Sequence, residues 1–179
     1  MERDFETKLY DRKQIAERVK EMGAEITRDY AGKELILACI LRGAFIFCAD
    51  LARAIDLPVR IEFLEASSYG EGAQSTGNVK IKKDFDLDIS GKHVMLVEDI
   101  VDTGLTLDRL KAMLLLRKPA SLAICAFLDK AERRVTSIQA DYVGFCIPDA
   151  FVVGYGLDYA QSYRHIPDLQ ILKPEIYEK

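Results

Sequence analysis

The segment Val94-Met-Leu-Val-Glu98-Asp99-Ile-Val-Asp102-Thr103-Gly104-Leu105-Thr106 runs from apolar residues into acids and then into a small, hydroxyl-rich turn. Those types in that order suit the handling of an anionic, hydroxylated ligand. Val94 to Val97 reads as a strand buried on both faces of a parallel sheet. Leu107, Leu110 and Leu114 then recur at helical spacing, with Arg117 near the end and Pro119 as the stop. Between strand and helix, Asp102, Thr103, Gly104 and Thr106 would offer backbone N–H groups, two hydroxyls and the positive end of a helix dipole to an anion.

A phosphate cradle alone leaves Glu98 and Asp99 unexplained, because carboxylates beside an anion repel it unless they face hydroxyls or a divalent cation. A sugar phosphate with Mg2+ removes the conflict. At the carboxyl end of a parallel strand the acids would accept hydrogen bonds from ribose hydroxyls, directly or through metal-bound water, while the loop wraps the 5-phosphate.

On these residues the chain resembles the type I phosphoribosyltransferases, whose phosphoribosyl pyrophosphate (PRPP) signature is an apolar run, two acids and Asp-Thr-Gly-x-Thr. Three further matches narrow the resemblance to hypoxanthine-guanine phosphoribosyltransferases of bacterial size: Leu41-Arg42-Gly43, Ser67-Ser68-Tyr69-Gly70, and the tail from Ile147 to Arg164. Together the resemblance spans about residues 11 to 172.

The resemblance implies a role for each matched residue. Glu98, Asp99, Asp102, Thr103, Gly104, Leu105 and Thr106 would bind PRPP, and Arg42, Gly43 and Arg164 its pyrophosphate. Ser67, Ser68, Tyr69 and Gly70 would begin a flexible catalytic loop, about residues 67–80, that closes over the substrates. Lys130 would donate to the purine 6-oxo group, Phe151 would stack on the base, and Val152 would offer backbone groups to its edge. Asp158, beside the base, would join Glu98 and Asp99 as a Mg2+ contact, and Asp102 would be the general acid/base at purine N7. Read without the resemblance, Lys130 is a solvated charge at a strand end, Phe151 is core, and Arg42-Gly43 is a helix start beside a surface arginine. Arg42 stands where many relatives have lysine, and Ala150 where a lysine often precedes the phenylalanine.

The implied activity is transfer of the 5-phosphoribosyl group from PRPP to hypoxanthine or guanine, giving IMP or GMP and pyrophosphate. A nucleotide-sensing regulator that binds RNA or DNA is the first alternative. A related enzyme for xanthine or a pyrimidine is the second, which Lys130 and Phe151 disfavour only for the pyrimidine. A net charge of -4 and the lack of a basic aromatic stripe speak against nucleic acid.

The elements that must hold these residues follow from pattern. Ile15, Val19, Met22 and Ile26 share a helical face over residues 11 to 30, with Asp11 as the cap before Gln14. Strands at Leu35 to Leu41, Val59 to Leu64, Val94 to Val97, Leu122 to Leu128 and Tyr142 to Ile147 alternate with helices at Ala44 to Ile55 and around Leu107, and in the second of these strands Val59, Ile61 and Phe63 alternate with Arg60, Glu62 and Leu64, as in a strand with one partly polar face. The expected fold is α/β with a mainly parallel twisted sheet flanked by helices; the resemblance implies the type I phosphoribosyltransferase fold, with a small hood formed by terminal segments and a long flexible loop. At 179 residues and 49% hydrophobic composition, one domain over 1–179 is expected. The start Met1 to Lys8 lacks a signal-peptide apolar core and no run approaches a membrane span, so a cytoplasmic protein without membrane partners is expected. The family resemblance implies a homo-oligomer, dimer or tetramer. Cys39, Cys48, Cys125 and Cys146 sit in apolar segments without metal or redox spacing and read as buried thiols. His93 should precede a strand and His165 lie on a surface turn.

Overall fold

Six consecutive residues of β2 (Leu35–Leu41), Leu35 to Ile40, are buried, because helices cover both faces of that strand. Leu35, Leu37 and Cys39 point to a core built with α1 (Arg12–Asp29) and α2 (Phe45–Ala54). Ile36, Ala38 and Ile40 point to a second core built with α3 (Leu105–Leu115). β5 (His93–Val101) and β6 (Ser121–Asp129) divide in the same way, Met95, Val97 and Phe127 on one side and Val94, Leu96 and Ile124 on the other. The period of two therefore assigns each strand residue to one of two helical layers. The coordinates are those of a computed structural model and describe residues 2–68 and 79–178.

The six-stranded sheet has the order β4-β3-β2-β5-β6-β7, where β3 is Val59–Ser68, β4 is Val79–Lys83 and β7 is Tyr142–Cys146. All neighbours are parallel except β3 and β4. Strand order reverses between β2 and β5, so the cleft beyond their carboxyl ends is the switch point at which such sheets take ligands. A second, antiparallel sheet joins the two ends of the chain: β1 (Phe5–Tyr10), β9 (Leu169–Leu172) and β8 (Val152–Val153). It is the expected hood, and α4 (Pro174–Tyr177) follows it.

The reciprocal cap predicted for α1 is present. Asp11 Oδ1 accepts from Lys13 N at 2.8 Å and Gln14 N at 3.0 Å, and Gln14 Oε1 accepts from Asp11 N at 2.9 Å. Four expectations need adjustment. β5 runs past Val97 because Glu98 and Ile100 still pair with Ala126 and Leu128 of β6. Ser67 and Ser68 belong to β3, paired with Lys80 and Val79, so they are strand rather than loop. Tyr69 and Gly70 lie outside the described residues. Ile61 and Phe63 are exposed at 44% and 43%, while Leu64 on the other face is buried. Cys146 is exposed; Cys39, Cys48 and Cys125 are buried, and all four are free thiols. His93 is the first residue of β5, and His165 lies exposed in a turn.

Candidate active site

The turn after β5 is shaped by Gly104, which caps α3 in the left-handed region at φ 83°. Its carbonyl accepts from Asp108 N at 2.8 Å. The amides of Thr106 and Leu107 belong to the first helical turn, where the helix itself provides no acceptor. Glu98, Asp102, Thr103, Gly104 and Thr106 line a cavity of about 120 Å³ at this turn. The predicted cradle residues thus converge.

Arg134, nearly buried, fixes the back of the turn. Its Nε donates to Asp102 O at 3.0 Å, Nη2 to Val101 O at 3.3 Å and Nη1 to Ile138 O at 2.6 Å, and it pairs with Asp129. A Cβ on Gly104 would run into Ile138, Thr136 and Arg134, so the packing also demands glycine. Sequence reading missed Arg134, because an arginine in a polar stretch carries no local sign of burial.

A second cavity of about 210 Å³ adjoins the first and shares Ile100 and Asp102 with it. Its other lining residues are Asp99, Lys130, Phe151, Val152, Leu157 and Asp158. Lys130 is 8% exposed, not the solvated charge its position alone suggests. Its amide donates to Val101 O at 3.0 Å, tying the ends of β5 and β6 together, and its Nζ is 3.5 Å from Asp149 Oδ1. Phe151 is stacked on Tyr177 of α4 at 4.7 Å and meets Tyr159 edge-on at 5.7 Å. Val152 lies in β8, an edge strand that among the described residues has no strand partner on its outer side.

Glu98 and Asp99 sit deep in the molecule with part of their surface open to these cavities. Burial pushes the Glu98 carboxyl well above its ordinary range, and the neighbouring Asp99 charge adds to the effect. Burial also raises Asp99, opposed by hydrogen bonds from Glu98 and Ile100 N and by the charge of Arg164. The Asp99 carboxylate presses on Gly43, where a Cβ would overlap it. Arg42 is exposed and has no acidic partner among the described residues; the Leu41–Arg42 peptide is cis. A Cβ on Gly156 would strike Gly43 O, so the hood loop rests directly on the Arg42-Gly43 turn. Arg164 donates from Nη1 to Gly156 O at 2.8 Å and pairs through Nη2 with Asp158 Oδ1 at 2.8 Å. Asp158 Oδ2 also accepts from Gln161 N at 2.8 Å.

Sequence reading also missed Arg133 and Asp149. Arg133 Nε lies 2.7 Å from Asp102 Oδ1, an ionic contact without hydrogen-bond alignment, and its Nη1 is 3.3 Å from each Asp149 carboxylate oxygen.

A mainly parallel sheet that opens at its switch point onto a glycine-capped turn at the start of a helix and an adjoining acidic pocket defines the class: an α/β protein of the type I phosphoribosyltransferase fold. The phosphoribosyl transferase domain model matches residues 6–160, and the chain belongs to that family. It is 52% identical over 156 residues to a hypoxanthine phosphoribosyltransferase of Salmonella typhimurium, covering 86% of this chain and 88% of that protein. It is 45% identical over 179 residues to a hypoxanthine-guanine phosphoribosyltransferase of Streptococcus thermophilus, covering 100% and 99%. The crystal structure of a Staphylococcus aureus hypoxanthine phosphoribosyltransferase superposes with a TM-score of 0.97 at 45% identity, covering 100% of this chain and 97% of that one.

Proposed function

We propose that this chain is a purine salvage enzyme that transfers the 5-phosphoribosyl group of PRPP to N9 of hypoxanthine or guanine. One observation carries the reading: the phosphate turn and the Lys130–Phe151 pocket are adjoining cavities joined through Asp102. The N9 lone pair forms the new bond to ribose C1, the bond from C1 to pyrophosphate breaks, and its electron pair leaves on pyrophosphate. The sugar carries positive character between the two, so positioning and electrostatics dominate. Asp102 takes the proton that N7 loses. Lys130 donates to the 6-oxo group, Phe151 stacks on the ring and Val152 presents backbone atoms to its edge. Arg42 and Arg164 face the departing pyrophosphate, while Glu98 and Asp99 hold the ribose hydroxyls.

The donor set suits Mg2+ that arrives with its substrate. Glu98, Asp99 and Asp158 are all oxygen donors, and the buried pair lacks full charge compensation. Among the described residues no three acids, histidines or cysteines converge into a protein-only metal cage. Mg2+ bound by one or two carboxylates plus phosphate oxygens fits that arrangement. When bound, the ion would neutralise charge on pyrophosphate.

Exposed Phe45, Ile61 and Phe63 support assembly into a dimer or tetramer. Four free thiols, three of them buried, support a reducing, cytoplasmic setting, and among the described residues no helix is long and apolar enough to cross a membrane. Neither nucleic acid nor membrane is a partner in this reading.

The test is a spectrophotometric panel with PRPP, Mg2+ and hypoxanthine, guanine, xanthine, adenine or uracil. Turnover of hypoxanthine or guanine is expected, and Asp102→Ala should slow it by about 10^2 to 10^4. Absence of turnover with every base would overturn the reading, and rapid turnover by Asp102→Ala would remove Asp102 from its role.

A further inference from the structure

The acid/base assigned above does not stand alone. Asp102 Oδ1 is closed to solvent and lies against Arg133, although the Asp102 side chain as a whole is 41% exposed. One carboxylate oxygen is therefore held from behind, and the accessible part of the group faces the two cavities that Asp102 lines. Arg133 is itself held on its other side by both oxygens of Asp149. Asp149 Oδ1 then reaches the nearly buried ammonium of Lys130. Four alternating charges, Lys130, Asp149, Arg133 and Asp102, make one connected row.

Isolated ion pairs at a surface contribute little. This row differs because its two ends are the groups assigned to the purine. The 6-oxo group and N7 are neighbours on one edge of the base, so a donor for the first and an acceptor for the second must keep a fixed separation. Lys130 follows β6 and Asp102 follows β5, and the Arg133–Asp149 bridge crosses the gap between these supports. We propose that Arg133, backed by Asp149, is a positioning residue that aims Asp102 at the purine and sets its distance from Lys130. This rests on the acid/base reading of Asp102.

Steady-state kinetics of the full chain can separate the two ideas. Arg133→Ala should lower kcat roughly tenfold or more, as expected for a misaimed reacting group, while KM for PRPP stays within about twofold. Arg133→Lys should recover part of the loss, because the charge remains while the planar fork does not. In an Asp102→Ala background, Arg133→Ala should add no further loss, since there is nothing left to aim. Asp149→Asn should lower kcat in the same direction by a smaller factor. Half-exposed Arg133 is tolerant of replacement, and unchanged thermal midpoints would certify folding. Wild-type kcat in Arg133→Ala, or an equal loss with and without Asp102, overturns the proposal while leaving the acid/base reading intact. Wild-type kcat in Asp149→Asn removes Asp149 from it. Rapid turnover by Asp102→Ala defeats both ideas together.

Discussion

Gly43 and Asp99 are in such close contact that any side chain at position 43 would occupy the space of the Asp99 carboxylate. The turn after β2 and the acids at the end of β5 are therefore one packed unit across the switch point. Gly43→Ala must displace Asp99 or the turn, and misplacement of this kind costs on the order of 10^2 in rate. Turnover with PRPP and hypoxanthine measures it; a Gly43→Ala enzyme at wild-type speed would show that the contact yields without consequence.

In the proposed function, Lys130 governs the choice of base. Loss of a charged hydrogen bond to the 6-oxo group costs about 1.5 to 3 kcal/mol, roughly 10- to 150-fold in kcat/KM for hypoxanthine. Adenine, which offers an amino group there, should be little affected by Lys130→Ala. The ratio of kcat/KM for the two bases is the measurement, and an unchanged ratio would exclude this role.

Tyr177 backs the ring of Phe151 at 4.7 Å, with 21° between the ring planes. Tyr177→Ala removes an aromatic pair of about 0.5–1.5 kcal/mol, so KM for the purine should rise roughly 2- to 12-fold while KM for PRPP changes little. Titration of purine binding in the presence of PRPP would reveal it, and equal affinity would mean that Phe151 holds its place unaided.

Asp84 accepts from Arg117 through both oxygens, at 2.8 and 2.6 Å, linking the end of β4 to the end of α3. The Arg117 hydrogen bonds hold the Asp84 carboxyl below its usual range. A carboxyl depressed in the folded state stabilises fully above its unfolded pKa and loses that contribution as pH falls through the folded value. The pair is largely exposed to solvent, so its share is below about 1 kcal/mol. The difference in urea midpoint between the wild type and Asp84→Asn should therefore be constant above about pH 5 and shrink below about pH 4. Parallel profiles for the two proteins would assign the pair no share.

The elements were legible wherever local pattern decides them. The α1 cap, the two-sided burial of β2 and the strand–turn–helix at Val94 to Leu114 all follow from residue types a few positions apart. Alternation in β3 revealed two faces without saying which one is covered. Glu62, on the face of buried Leu64, accepts from Asp86 N at 3.1 Å, whereas Ile61 and Phe63 face outward. In the site, contiguous chemistry from Glu98 to Thr106 could be read directly, but Lys130 and Phe151 needed the family resemblance. Arg133, Asp149 and Tyr177 gave no signal because their contacts join residues far apart in the chain.

β1 pairs with β9, and β9 with β8, so the small sheet that carries Val152 needs both Phe5–Tyr10 and Leu169–Leu172. The turn after β5 has its full backing once Arg134 and Ile138 have been made, before Leu172 has been synthesised. A growing polypeptide thus has every residue of the turn's pocket before it has the strand that closes the sheet beside Phe151 and Val152, and that second pocket must wait for it.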